Sequence, residues 1–182
     1  MKKFLFATVV TVLGLVNGKA QEIKLGVKGG LNFASVSGNY TANPETVTAF
    51  NFGVMSEIPL TKKFSFQPEV LFSGQGFSLN KSVLALNYLN IPLMGKYYLT
   101  KGFSVEAGPQ IGFLLSAKNE SVNVKDSFHS LDYGVNFGVG YKLNNGLNFG
   151  VRYNAGLSDI TKTDTYTNKN GVAQVSIGYF FF

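Results

Sequence analysis

Bulky apolar residues alternate with small or polar residues through most of the chain. The alternation is cleanest over residues 133–143 and 147–157, where mostly Tyr, Val, Phe and Leu occupy odd positions and Gly, Asn, Lys or Arg occupy even positions. Successive side chains of a β-strand point to opposite faces, so a period of two predicts strands with one apolar face. The segments with this period are 23–33, 50–58, 64–72, 89–99, 103–113, 133–143, 147–157 and 175–181. We therefore predict an all-β fold built as an eight-stranded antiparallel up-and-down barrel, and single-chain bacterial barrels that cross a membrane have an even strand number.

Alternation alone does not say which face points into the barrel. Soluble eight-stranded barrels of the lipocalin type place the apolar face inside, whereas membrane barrels place it outside. In this chain the other face carries Gly and Asn with scattered charges of both signs, and the composition includes 21 Gly and 17 Phe. Small inward residues suit the packed lumen of a narrow barrel. We predict a transmembrane barrel in the outer membrane of a Gram-negative bacterium, with a soluble periplasmic lipocalin-like ligand-binding barrel as the alternative.

The connections between the predicted strands differ in length in a regular order. Short connections fall at residues 59–63, 100–102 and 144–146, and longer polar ones at 37–46, 77–83, 118–130 and 159–171. Outer-membrane barrels have short periplasmic turns and longer external loops. Because the order starts with a long connection, we expect both termini on the short-turn side, in the periplasm.

The first twenty residues have the composition of a secretory signal peptide. Lys2 and Lys3 precede an apolar run over residues 4–16, and Gly18-Lys19-Ala20 resembles a small-x-small cleavage site. We predict a signal peptide at residues 1–20 and an outer-membrane barrel domain at residues 21–182. The chain has no Cys, which excludes disulfides and a lipoprotein signal. Removing three lysines with the signal would lower the net charge from +6 to +3, which does not indicate nucleic-acid binding.

Several charged residues fall on the face predicted to line the lumen. An eight-stranded barrel is just wide enough for side chains to fill it, and an unpaired buried charge costs several kcal/mol. We therefore expect these charges to pair as a structural polar network, and the alternative is a narrow, gated ion channel. The predicted network residues are Lys28, Glu57, Glu69, Lys96, Glu106, Asp132, Lys142 and Arg152.

The sequence gives little support for catalysis, a cofactor or a metal site. His129 beside Ser130 and Asp132 is the one candidate for an activated nucleophile, but neighbouring residues on a strand point to opposite faces and do not converge easily. One His and no Cys leave no transition-metal ligand set. We expect no catalytic residue, no cofactor and no metal, and the candidate His129 is interpreted as a solvated loop residue.

Two surface segments are open to a binding interpretation. Lys62, Lys63 and Lys101 lie in neighbouring short turns and either form a partner-binding basic patch or mark the edge of the apolar band. The loop at 159–171 either binds a ligand or is a solvated hairpin tip. Outer-membrane lipid is the partner that the barrel itself predicts, and an unknown partner at the external loops is the further expectation.

Two strand motifs resemble the PorT-like family of small outer-membrane β-barrels. They are Tyr-Leu-Asn-Ile-Pro-Leu-Met-Gly-Lys-Tyr-Tyr-Leu at residues 88–99 and Gly-Pro-Gln-Ile-Gly-Phe-Leu-Leu-Ser-Ala-Lys at residues 108–118. The resemblance implies the barrel fold and an outer-membrane location, and it implies no catalytic activity. The chain ends in Tyr179-Phe180-Phe181-Phe182, an aromatic strand of the kind that the outer-membrane assembly machinery recognises, with either Phe181 or Phe182 facing lipid. The expected role is structural or interactive.

Overall fold

The computed structural model of the chain describes residues 23–38, 44–79, 82–163 and 167–181. The predicted signal peptide at residues 1–20 lies outside the described residues. No helix within the described ranges is long and apolar enough to cross a membrane. The strands are β1 (Lys24–Gly38), β2 (Glu45–Pro59), β3 (Phe64–Leu79), β4 (Ser82–Tyr98), β5 (Phe103–Asn119), β6 (Val122–Asn123), β7 (Leu131–Lys142), β8 (Leu147–Gly156) and β9 (Asn168–Phe180), with a 3-10 helix at Lys125–Ser127.

Eight of these strands close into one antiparallel barrel. Each long strand pairs with the next one along the chain, β5 pairs with β7, and β9 returns to pair with β1. The two-residue β6 extends the edge of β5 beyond the barrel wall. This is the predicted up-and-down topology, and closure leaves no barrel strand with an unpaired edge, as a membrane-spanning sheet requires.

The apolar residues face outward along every long strand, as the alternation predicts. In β9, Val175 and Ile177 are 50% and 51% exposed. Gln174, which precedes them, and Ser176, which lies between them, are buried. Phe181 is half exposed and Phe180 is buried inside, so Phe181 is the outward aromatic; Phe182 lies outside the described residues. The arrangement is the reverse of a lipocalin-like barrel, so the soluble alternative does not fit the fold.

The connections divide the barrel into two ends. The turn end carries the connections at 60–63, 99–102 and 143–146, together with the start of β1 and the end of β9. The opposite end, the loop end, carries the connections between β1 and β2, β3 and β4, β5 and β7, and β8 and β9. The three short connections agree with the prediction.

The predicted long loop at residues 77–83 is wrong. β3 continues to Leu79 and β4 starts at Ser82, and these two residues pair with each other. The strands outrun the apolar band: the 16 residues of β3, at about 3.3 Å each and a tilt of about 40°, rise roughly 40 Å, against an apolar band of about 25 Å. Strand residues beyond the band need no apolar outer face, so their sequence resembles a loop.

Glycines on the inner face let neighbouring strands approach closely. A Cβ added at Gly53 would collide with the backbone carbonyl of Val70 on β3, and one at Gly108 would collide with the carbonyl of Leu93 on β4. Gly29, on the outer face, has ordinary space for a Cβ, with its nearest contact at 3.6 Å. The inner glycines therefore follow from the tight curvature of a narrow barrel.

Candidate functional site

The lumen at the turn end contains a buried ionic cluster centred on Arg152. The Arg152 guanidinium donates to both carboxylate oxygens of Glu69, over 2.8 and 3.0 Å, and to Glu106 over 3.2 Å. Lys28 donates to the same Glu69 carboxylate over 3.2 Å. All four side chains are at most 9% exposed. Bidentate pairing between Arg and a carboxylate is a strong, directional contact.

The cluster continues toward the mouth of the barrel through Lys96 and Glu57. The Lys96 ammonium lies 3.2 Å from Glu106 and 3.7 Å from Glu57. Lys142 donates to both oxygens of Glu57, over 2.8 and 2.9 Å, and the Tyr98 hydroxyl donates to the same carboxylate over 2.7 Å. The structure thus links seven of the eight predicted network residues into one continuous chain of ion pairs.

Asp132 is the predicted network residue that the structure places elsewhere. Its carboxylate accepts hydrogen bonds from the Ser158 hydroxyl over 2.7 Å and from the Asn170 amide over 2.8 Å. β7 begins at Leu131 on the loop end, so Asp132 is buried far along the barrel from the ionic cluster. Alternation gives the face on which a residue lies but not its depth along the lumen.

Amide side chains fill the middle of the lumen. The Asn51 amide donates to Asn32, and Asn32 donates onward to the Ser73 hydroxyl and the Gly74 carbonyl, over 2.6 to 2.9 Å. On the opposite wall, Asn154 donates to Asn136 and Asn136 donates to Gln110, each over 3.2 Å. These neutral networks pair many of the buried polar groups without adding charge, although the Oδ1 atoms of Asn51 and Asn154 have no hydrogen-bond partner among the described residues.

An apolar plug closes the lumen at the loop end, and the sequence reasoning missed it. Phe128 and Ile160 come from the two largest described loops, and the backbone N–H of His129 donates to the Ile160 carbonyl over 2.9 Å to join those loops. The register between β4 and β5 shifts between Asn87 and Tyr88, where β5 contains one extra residue, Leu115. The signal was available, since inward positions change from polar to apolar toward the loop end. The plug consists of Val36, Phe77, Leu86, Tyr88, Leu114, Ala117, Phe128 and Ile160.

Little free space remains within the ionic cluster. The cavity within the ionic cluster, lined in part by Lys28, Lys96 and Arg152, has a volume of about 10 Å³. That volume holds about one water molecule. At the level of the ionic cluster the lumen is therefore packed, without room for a solute.

The candidate catalytic residues do not converge. His129 and Ser130 are exposed on the loop surface, whereas Asp132 is buried and hydrogen-bonded to Ser158 and Asn170. Nucleophile and base must be within hydrogen-bond reach to work together. Within the described ranges, no group of three or more His, Cys, Asp or Glu side chains is arranged to hold a metal ion.

A closed antiparallel barrel with an apolar exterior and a packed polar lumen defines a transmembrane β-barrel of the outer-membrane type. Residues 19–162 match the model of the family described as the outer membrane protein beta-barrel domain, and the chain belongs to that family. No curated protein matches the sequence closely enough to count as a relative.

Solved outer-membrane barrels share the fold at low sequence identity. The Neisserial surface protein A is 12% identical with a TM-score of 0.60, and the match covers 86% of this chain and 97% of that one. The attachment invasion locus protein Ail of Yersinia pestis is 13% identical with a TM-score of 0.54, covering 87% and 98%. OprG of Pseudomonas aeruginosa is 14% identical with a TM-score of 0.53, covering 87% and 95%. At these identities the likeness shows the fold alone.

Proposed function

We propose that the chain is a sealed, non-catalytic outer-membrane barrel whose role is structural or interactive. The observation that carries the proposal is the packed lumen: an ionic cluster at the turn end, amides in the middle and an apolar plug at the loop end. A pore needs a continuous water-filled path, and a cavity of about 10 Å³ in the ionic cluster does not provide one.

The ionic cluster acts in this proposal as a belt that ties the barrel wall together. Its seven members come one each from seven strands, β1 to β5, β7 and β8. Charges paired across a narrow lumen oppose separation of the strands, and each would be costly to leave without its partner in a medium of low dielectric constant. The lumen charges are thus assigned a structural role and not an ion path. Asp132 anchors the loop end separately, through Ser158 and Asn170.

We propose that the turn end and both termini lie in the periplasm, because three of the four loop-end connections are longer than the turns, the exception being the one between β3 and β4. Short turns face the periplasm and longer loops face outward in outer-membrane barrels. A cleaved signal peptide at residues 1–20, with the mature domain at 21–182, and recognition of the C-terminal aromatic strand by the assembly machinery belong to the same proposal. The two motifs at residues 88–99 and 108–118 favour a PorT-like barrel from a Gram-negative bacterium within the broader family.

The loop end is the surface through which we propose that the barrel meets an external partner. The described loops at 120–130 and 157–163 are held in place by the plug and by a bridge between Phe128 and Thr161. Rigid support of exposed loops is typical of interaction surfaces. Among the solved barrels, Ail, the attachment invasion locus protein of Yersinia pestis, has been crystallised with the heparin analogue sucrose octasulfate, at 12% identity to this chain and a TM-score of 0.54.

Planar-bilayer recording of the refolded barrel tests the sealed lumen. Insertion is verified first by heat-modifiability, the change in gel mobility that a closed barrel shows on boiling. The expected result is a current no greater than that of the empty bilayer, with a reconstituted porin as the conducting control. Steady unitary conductance from the inserted, heat-modifiable protein would overturn the proposal and favour the narrow-channel alternative.

A further inference from the structure

The exposed charges at the turn end are all positive within the described residues. Lys62, Lys63 and Lys101 are exposed, and Lys24 is partly exposed at the mouth. The carboxylates of this half, on Glu57, Glu69 and Glu106, face inward and are at most 9% exposed. The loop end differs, because Lys118, Lys125 and Lys162 there share the surface with Glu45, Glu120, Asp126 and Asp159. The turn end therefore presents a cationic rim that no exposed described carboxylate neutralises.

Three of these lysines surround one concave surface. Lys62 and Lys63 lie in the turn between β2 and β3, and Lys101 lies in the turn between β4 and β5. The turns are neighbours because β3 pairs with β4, and the Tyr98 N–H donates to the Lys63 carbonyl over 2.8 Å. The space between them measures about 450 Å³ and is also lined by Tyr98, Leu99, Thr100, Gly102 and Asn144.

The backbone holds the lysine pair in a fixed position. The Thr61 hydroxyl accepts hydrogen bonds from the N–H groups of Lys63 and Phe64, over 3.3 and 3.0 Å. None of the three lysine side chains forms an ion pair with a described residue. Their ammonium groups are thus presented on an ordered turn and are available to an external anion.

Exposed apolar side chains lie directly beside the lysines on the outer wall. Leu99 is 51% exposed, Tyr97 43% and Phe64 39%, and all three lie at the turn-end edge of the apolar band. A ligand that fits this surface carries a negative charge at the level of the lysines and hydrocarbon at the level of the band. Anionic phospholipid has that arrangement, with its phosphate next to its acyl chains.

We propose that Lys62, Lys63 and Lys101 form a binding site for the phosphate headgroup of an anionic phospholipid at the turn end. Basic residues near an anionic membrane surface each favour association by about five-fold. An edge that merely marked the apolar band would tolerate charges of both signs, whereas the exposed charges of this concave rim are all positive among the described residues. The site depends on the barrel fold alone; the proposed orientation adds only that the lipid lies in the periplasmic leaflet.

Native mass spectrometry of lipids retained by the barrel tests this site. The full chain is refolded into an equimolar mixture of phosphatidylcholine and phosphatidylglycerol, transferred to mild detergent, and the bound lipids are weighed. The test variant is K62Q/K63Q/K101Q, and the matched control is K118Q/K125Q/K162Q, which removes the same charge at the loop end. The wild type and the control are expected to retain phosphatidylglycerol in preference to phosphatidylcholine. In the test variant this preference is expected to fall by at least about ten-fold.

Two results would overturn the proposal. Equal loss of phosphatidylglycerol in both variants would show that net charge alone, and not this site, selects the lipid. Removal of the lipid from the wild type by added inorganic phosphate would show a site for a free anion and not for a phospholipid. The heat-modifiability and the planar-bilayer conductance of the test variant are measured in parallel. Failure of the lipid site is thereby distinguished from failure of the sealed-barrel proposal.

Discussion

Removing the Glu69 carboxylate from the ionic cluster should destabilise the barrel more than removing the Lys28 cation that it binds. Glu69 is the shared partner of Lys28 and Arg152, and it is the one carboxylate with which Lys28 forms an ion pair among the described residues. Glu69→Gln keeps the side-chain shape but leaves Lys28, 7% exposed, without that partner, and changes the cluster from four cations and three anions to four and two. Breaking a buried pair in this way costs about 3–5 kcal/mol of unfolding free energy.

The reverse change has a smaller effect because the carboxylate keeps a partner. Lys28→Met leaves Glu69 with the bidentate Arg152 contact and with a hydrogen bond from Gln67 over 2.7 Å. We expect a loss of about 1.5–3 kcal/mol, the range of one hydrogen bond to a charged group. The double variant E69Q/K28M removes both members of the pair, so its cost should fall at least about 1.5 kcal/mol below the sum of the single costs.

The assay is a urea titration of the barrel in lipid vesicles, followed by the gel mobility of the folded form because the chain has no Trp. Glu120→Gln at the exposed loop end removes the same charge and serves as the control, with an expected change below about 0.5 kcal/mol. The reasoning fails if Glu69→Gln matches that control, or if Lys28→Met costs more than Glu69→Gln.

Three further changes test the wall, the curvature and the plug. Gly53→Ala forces a Cβ into the Val70 carbonyl and should cost about 1–3 kcal/mol or block folding, whereas Gly29→Ala on the outer face should be tolerated in the same urea titration. Val139→Arg places a charge on the lipid-facing wall and should cost about 2–4 kcal/mol, while Val122→Arg in the exposed β6 should leave the unfolding midpoint unchanged; equal costs would contradict the assigned faces. Phe128→Ala should loosen the described loop at 120–130, which faster proteolysis there with an unchanged heat-modifiable barrel would show; unaltered proteolysis would mean that the plug does not hold the loop.

The number of barrel strands and their outward faces followed from the sequence because both depend on a local period of two. The up-and-down topology followed from the connections, because consecutive strands with short connections usually pair. The prediction was wrong at residues 77–83, where a polar hairpin continues both strands beyond the apolar band. A polar sequence there marks residues that lie in water and not in lipid. It does not distinguish a strand from a loop. Strand length beyond the membrane is set by cross-strand hydrogen bonds, which a pattern of apolar residues does not encode.

The sequence identified polar residues that face the lumen, but it did not identify how far along the barrel each of them lies. Asp132 and Glu69 both point into the lumen, yet the strand register places Asp132 at the loop end and Glu69 in the ionic cluster. The contact between Glu69 and Arg152 joins residues 83 positions apart, so it requires the closed barrel to exist before it forms. The apolar plug was missed because its residues break the polar-inside pattern, and that break is itself informative: where the lumen leaves the membrane, water-exposed loops can cover an apolar core.

The layering has a consequence for where this barrel can change without unfolding. The ionic cluster takes one charge from each of seven strands, so a substitution at any of them removes a member of the chain of ion pairs that links the wall. The loop end is held by apolar packing around Phe128 and Ile160, and cores of this kind accept exchanges of similar volume at a cost below about 1.5 kcal/mol. The turn-end half is therefore expected to be constrained by barrel stability, and partner specificity is expected to vary at the loop end, where the loops rest on a core that tolerates repacking.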